Sequence, residues 1–282
     1  MDHCLHFTLA GYKNSMQLAA LANRPVFSRS EPPVLCLHGW QDNAASFIPL
    51  ANALTGVAML APDFPGHGHS PYRSSDAHYY FFDWVEDIVA LCQQQGWQHL
   101  TIIGHSMGGM VATALAAAFP ELVARLVLID SLGFVIAEAS ASEQLRQGII
   151  SRLKAPPKRK PYYPDLVAAA KARLVQSDFG LPEALLLAKR GTVADQHGIS
   201  WRNDYRLRLK SVHRPTLPQA RELCQAVKVP VLAVLATDGP FINKLTETQS
   251  WYQQLTVKQI TGGHHCHMTA ADDVARLIKA WL

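Results

Sequence analysis

Ser106 is the residue whose setting most clearly allows chemistry. It stands in Gly104-His105-Ser106-Met107-Gly108, a G-x-S-x-G pattern. Before it, Leu100 to Ile103 is a short β-branched run, the pattern of a buried strand. After it, Met110 to Phe119 is rich in alanine and closed by Pro120, the pattern of a helix. A sharp strand-to-helix turn would lift one hydroxyl above the sheet, and glycine at 104 and 108 lets strand and helix approach closely. The N–H of Met107, at the helix N-terminus, could then hold a developing oxyanion. Serine is a weak nucleophile at neutral pH. It needs a base within hydrogen-bond reach, and the base needs a third group to fix its tautomer. Downstream, Asp130 and Asp238 each follow an apolar run, and Gly263-His264-His265-Cys266-His267 follows a third.

These groups must be carried to one place by the elements between them. Val34 to Leu37, Val57 to Ala61, Leu100 to Ile103 and Arg125 to Ile129 read as buried strands. Asn43 to Leu54, Tyr79 to Gln95 and the segment after Ser106 read as helices. This alternation predicts an α/β fold: a mostly parallel sheet with helices on both faces and right-handed crossovers. In such a sheet the strand carboxyl ends share one edge, where Ser106, Asp130, Asp238 and His264 can meet. The rhythm stops at Gly133. Glu138 to Leu153, Tyr163 to Val175 and Leu181 to Arg190 look helical, and Lys154 to Pro161 is a basic, proline-rich linker. Thr192 to Arg214 shows no clear period. Strands return at Val229 to Leu235 and Val257 to Ile260, and Ala271 to Leu282 is a closing helix. The expected organisation is a core of residues 1–132 and 222–282 with a helical cap, 133–221, inserted between.

The chain has 282 residues, 49% hydrophobic and 17% charged, enough for one large domain with an insertion. No run approaches the ~18 apolar residues of a membrane span. Met1 to Phe7 lacks a basic segment leading into an apolar core, so no secretory signal is expected. The five cysteines are scattered and form no C-x-x-C pair, which argues against a disulfide framework or a zinc site and points to a reducing cytoplasm. Cys36 and Cys266 are expected to be small buried residues rather than reactive thiols. No metal, cofactor or nucleic-acid motif stands out. The net charge of +4 is uneven: residues 133–227 hold sixteen Lys and Arg against eight Asp and Glu. That excess suggests either a solvated face or a site for an anionic substrate such as a coenzyme A ester.

Over nearly its whole length the chain resembles the α/β-hydrolase family. His38-Gly39-Trp40, Asp63 to Ser70, Gly104 to Gly109 and Gly263 to His267 carry the likeness. Within that family it is most similar to the serine hydrolase-like proteins, through Gly262 to Met268 and Trp201 to Leu207. The resemblance implies Ser106 as nucleophile on a nucleophile elbow, and Trp40 and Met107 as backbone donors of an oxyanion hole. It also implies a histidine of the Gly263 loop as base, by family habit the first, His264, with His265 the alternative. The family acid usually follows the seventh strand. There Gly239 occupies the acid's register and Asp238 falls one place early, so Asp130, after the sixth strand, is preferred as the acid. The implied activity is hydrolysis of a small carboxylic ester or thioester by a Ser-His-Asp triad without a cofactor. Hydrolysis of a carbon–carbon bond on the same triad and a catalytically silent binding protein are the alternatives.

Overall fold

Eight strands form one sheet, and Ser106, Asp130, Asp238 and His264 each follow the C-terminal end of one of its parallel strands. The computed structural model describes residues 1–9, 16–155 and 160–282. Part of the first connection (10–15) and of the proline-rich linker (156–159) lies outside the described residues. In chain order the first half gives β1 (His3–Leu9), β2 (Met16–Ala22), β3 (Val34–Leu37), α1 (Ile48–Ala53), β4 (Met59–Pro62), α2 (Phe81–Gln95), β5 (Leu100–His105), α3 (Met107–Ala118) and β6 (Val123–Ile129). Then come α4 (Ala141–Leu153), α5 (Leu166–Leu174), α6 (Leu181–Gly191), β7 (Thr192–Asp195) and β8 (Gly198–Trp201). The last part gives α7 (Leu217–Ala226), β9 (Val231–Ala236), α8 (Leu245–Thr248), β10 (Leu255–Ile260), α9 (Cys266–Thr269) and α10 (Ala271–Lys279).

The sheet order is β1-β2-β4-β3-β5-β6-β9-β10. β1–β2 and β2–β4 pair antiparallel, and every later pair is parallel. The central strands are apolar throughout because both faces are covered. Alternate residues divide between two cores. Leu35, Ile102, Leu126 and Leu128 meet α2, α3 and α7, while Cys36, Ile103, Val127 and Ile129 meet α1 and α10. Each fully buried leucine or isoleucine contributes roughly 1.5–3 kcal/mol. Gly96, at φ 66°, ends α2 in the left-handed region, and Pro120 follows the end of α3. Among the described residues no helix is long and apolar enough to cross a membrane.

Between β6 and α7 the chain leaves the sheet and lies against the loops that follow β3, β4 and β10. Arg190 of α6 pairs with the buried Asp63 at 2.8 Å, and Arg206 donates to the carbonyls of Arg73, Ser74 and Ala77. Arg173 reaches Asp42 at 3.0 Å, and Arg202 donates to the Gly68 carbonyl. Much of the basic excess therefore fastens this segment to the core loops, a use that composition alone does not distinguish from a solvated face. One expectation needs correction, and a second is set against the helix at its limit. The stretch from Thr192, which lacks a legible period, contains the antiparallel pair β7–β8, whose strands are too short and exposed to show alternation. The expected limit at residue 221 falls inside α7, which packs Ala220 and Cys224 into the α3 side of the core.

The elbow depends on the missing side chains of two glycines. A Cβ on Gly108 would lie 2.0 Å from the Leu37 carbonyl oxygen, and one on Gly104 2.5 Å from the Gly109 Cα. Both obstacles are backbone, which cannot rotate aside. Gly108→Ala is expected to lower the unfolding free energy by about 1–3 kcal/mol or more, as forced overpacking does. A urea midpoint equal to that of the wild type would show that the β3–α3 approach is looser than described.

Candidate active site

Ser106 stands alone between β5 and α3, at φ 51° and ψ −118°. Positive φ is strained for any residue but glycine, so the surroundings must hold it. They do so on both sides. The Ser106 N–H donates to the Ile129 carbonyl at 3.2 Å, and the Ser131 hydroxyl donates to the Ser106 carbonyl at 2.8 Å. Gln41 (φ 62°), on the loop after β3, and Asp130 (φ 37°), after β6, are two further non-glycine residues at positive φ. Met107 opens α3, so its N–H has no acceptor within the helix.

The Ser106 hydroxyl lies 2.9 Å from His264 Nε2, and His264 Nδ1 lies 2.5 Å from Asp130 Oδ2. Nδ1 is therefore the donor to the carboxylate and Nε2 the acceptor from the hydroxyl. Asp130 is fully buried, and its other oxygen accepts from the Ala236 N–H at 3.2 Å. Asp238 lies exposed on the turn after β9 and is not brought to His264. Gly239, beside it, is where space is needed: a Cβ there would sit 2.4 Å from the Asp130 carboxylate. Phe241 stacks on the His264 ring at 6.0 Å.

The loop after β3 carries Trp40, whose indole N–H donates to the Leu207 carbonyl of the inserted segment at 3.2 Å. Two buried histidines brace this loop. His38 Nε2 accepts from the Phe64 N–H, and His67 Nε2 accepts from the Gln41 N–H at 3.2 Å. Burial pushes His38 below its ordinary pKa and, with the nearby His38, brings His67 to about 3. Neutral imidazoles suit the acceptor role. Burial likewise raises the Cys266 thiol to about 12 and holds Cys36 far above its ordinary value, so neither is a thiolate.

A second cluster lies behind the first. His265 does not reach Ser106. Its Nδ1 donates to Asp178 Oδ1 at 2.5 Å and its Nε2 lies 3.3 Å from Asp42 Oδ2. Burial alone would lower its pKa, but the charges and hydrogen bonds of Asp42 and Asp178 outweigh it and raise the value to about 9. At Asp178 burial alone would raise the pKa, but its hydrogen bonds from the His265 ring and N–H and the His265 charge bring it to about 2. His105 donates from Nε2 to the His264 carbonyl at 2.9 Å. His267 is buried between the rings of Phe47 and His105, where desolvation and the His265 charge lower it to about 3. Asp42, His105 and His265 place one ligand-type atom each within 4.8 Å of one another. However, Asp42 and Asp178 are already balanced by Arg173 and protonated His265, so these residues are an ion-pair network and not an assigned metal site. Sequence reasoning passed over Asp42, Asp178, Arg173 and His105. Asp42 and Arg173 are 131 residues apart, and no local pattern links them. A cavity of about 270 Å³ opens beside this network, lined by Gln41, Tyr163, Arg173, Trp201 and Arg208 among others.

A family model described as the alpha/beta hydrolase fold matches residues 32–271. The chain is 31% identical to a serine hydrolase-like protein of Danio rerio, over 89% of this chain and 81% of that protein. A crystal structure of a hypothetical protein from Pseudomonas aeruginosa PAO1 superposes with a TM-score of 0.90 at 35% identity, covering 99% of this chain and 98% of that one. The thioesterase domain from the curacin biosynthetic pathway superposes with a TM-score of 0.82 at 26% identity, covering 99% of this chain and all of that one (100%).

The His265 contacts set a sign for stability against pH. A folded-state pKa raised to about 9 adds stability that is complete below the ordinary value of 6.5 and disappears as pH rises through 9. The groups facing His265 are Asp42, Asp178, His105, His264 and His267, with Arg173 on Asp42. Urea unfolding of wild type and His265→Gln should differ most at about pH 6 and converge toward about pH 10. A constant difference would remove the ion-pair assignment.

Proposed function

The chain belongs to the α/β-hydrolase fold family, close to the serine hydrolase-like proteins, and from that footing we propose a serine hydrolase of small carboxylic esters or thioesters. The observation that carries the reading is the continuous hydrogen-bonded chain Ser106–His264–Asp130, with both links within bonding distance. Ser106 Oγ attacks the substrate carbonyl carbon while its proton passes to His264 Nε2. Asp130, accepting from Nδ1–H, fixes the tautomer and stabilises the imidazolium. The carbonyl oxygen becomes an oxyanion held by the backbone N–H groups of Met107 and Trp40, each donor worth about 3 kcal/mol in the transition state. The carbon–oxygen or carbon–sulfur bond then breaks, and the leaving group takes the proton from His264. Water, deprotonated by His264, attacks the acyl-enzyme, and the acid departs as Ser106 regains its proton.

The similarity to a curacin-pathway thioesterase domain and to proteins named serine hydrolase-like supports acyl transfer over the other chemistries considered. We assign the inserted segment, 133–221, as a cap that shapes the acyl pocket. Its contacts with Asp42, with the Gln41 carbonyl and with Asp63 support that placement.

A fluorophosphonate probe is expected to label Ser106 in the wild type and to leave Ser106→Ala unlabelled. A panel of p-nitrophenyl esters and acyl-CoAs would define the acyl group. Ser106→Ala should fold normally and lose at least ~10³-fold in kcat. Full turnover in that variant would refute the nucleophile.

Asp130→Asn should cost about 10⁴-fold in kcat, by analogy with the serine-protease acid. Asp238→Asn, on an exposed turn, should be tolerated. The reverse order of damage would move the acid to the β9 turn.

A further inference from the structure

His264 has one fixed partner, Asp130, and one reacting partner, Ser106. What fixes its backbone lies elsewhere. Asp178, on the connection between α5 and α6, grips the next residue twice: Oδ2 accepts from the His265 N–H at 3.0 Å and Oδ1 accepts from Nδ1 at 2.5 Å. The carboxylate lies so close to the loop that a Cβ on Gly263 would come within 2.1 Å of it. On the far side of the ring, Asp42 holds Nε2, and Arg173 of α5 holds Asp42. The His264 carbonyl itself accepts from His105. Below this, Met268 of α9 packs with Phe179, Ala184, Leu187 and Ala170 of the inserted segment, and Phe179 meets the His265 ring edge-on at 4.7 Å.

We propose that Asp178 is a positioning residue for the base: through protonated His265 it ties the cap to the His264 loop, so that seating the cap and completing the triad are one event. This rests on the reading of Ser106, His264 and Asp130 as a hydrolase triad. Arg173 extends the tie to the oxyanion loop, because Asp42 lies two residues beyond Trp40. The inserted segment thus grips both the loop with the oxyanion donor and the loop with the base, and among its described residues none bonds Ser106, His264 Nε2 or Asp130.

Charge is what makes the clamp close. Two carboxylates, Asp42 and Asp178, face His265 from opposite sides, with His105, His264 and His267 around it and Arg173 behind Asp42. With the ring protonated the group is balanced. Without that proton both carboxylates lose their shared cation, and the hold is reduced to the neutral bonds that the His265 N–H and Nδ1–H donate to Asp178. Replacing Asp178 by asparagine keeps the size, removes one charge and leaves one acceptor where His265 offers two donors, so His265 should release its proton at lower pH than in the wild type.

The test compares wild type, Asp178→Asn and Asp178→Glu by the rate of fluorophosphonate labelling at Ser106 and by kcat and KM on a neutral ester across pH. Asp178→Asn should lose about 10- to 100-fold in labelling rate and kcat near pH 8, the size of effect expected from a misplaced base, with KM within about twofold. The loss should shrink toward about pH 6, where His265 is protonated regardless. Asp178→Glu keeps the charge one methylene out of place. It should lose rate while keeping the wild-type alkaline limb, and it supplies the same readout should the asparagine variant not fold. A loss in Asp178→Asn that is equal at every pH, a wild-type rate in either variant, or a shifted limb in Asp178→Glu would overturn the positioning role. Failure of the wild type to label at Ser106 would instead overturn the hydrolase reading.

Discussion

A fully buried carboxylate at the end of β6 constrains everything around it. Desolvating Asp130 costs several kcal/mol unless its oxygens are bonded and its charge is faced. One oxygen takes the Ala236 N–H from the neighbouring strand, and the other takes His264. Both partners require β9 to run beside β6, and both require the turn after β9 to stay thin. Gly239 meets that second need, since any Cβ there would occupy the carboxylate's place. The turn after β9 is thus thinned to admit a carboxylate from the neighbouring strand. The two features are one solution: had residue 239 carried a side chain, Asp130 could not occupy its present site.

A similar economy governs the inserted segment. Its positive charge looks, in composition, like a surface or a substrate site. In place, Arg190 and Arg173 neutralise Asp63 and Asp42, buried acids on the loops after β4 and β3. Charge-assisted bonds of this kind hold geometry more than they add net stability, because both partners must leave water to form them. Their value here is the spacing of the loops around Ser106.

The fold was legible because its signals are local. Apolar runs such as Leu126 to Ile129 declare buried strands, and the strand–glycine–serine–glycine–helix order declares the elbow. The parallel sheet, with its shared edge, then follows from the alternation. The β7–β8 pair was not legible, since Thr192 to Trp201 offers four-residue strands with little buried alternation. Nor were Asp42, Asp178 and Arg173, whose meaning lies in contacts across more than eighty residues of chain. The choice between Asp130 and Asp238 was open in the sequence because both follow strands. What separates them is depth: Asp130 is fully buried and Asp238 is exposed.

His264 and His265 show how neighbouring, chemically identical residues receive different duties. His264 meets one carboxylate and one hydroxyl, so one nitrogen is fixed while the other faces the Ser106 hydroxyl. His265 meets a carboxylate at each nitrogen, so both are committed, and the two charges favour the protonated ring. A ring held in that way cannot accept a proton from serine. It can only hold the chain that carries the other. The distinction is made by where Asp42 and Asp178 lie, and Asp178 belongs to the inserted segment. A segment that contributes no atom to the Ser106–His264–Asp130 chain thus occupies one of two adjacent histidines, while the other meets the Ser106 hydroxyl.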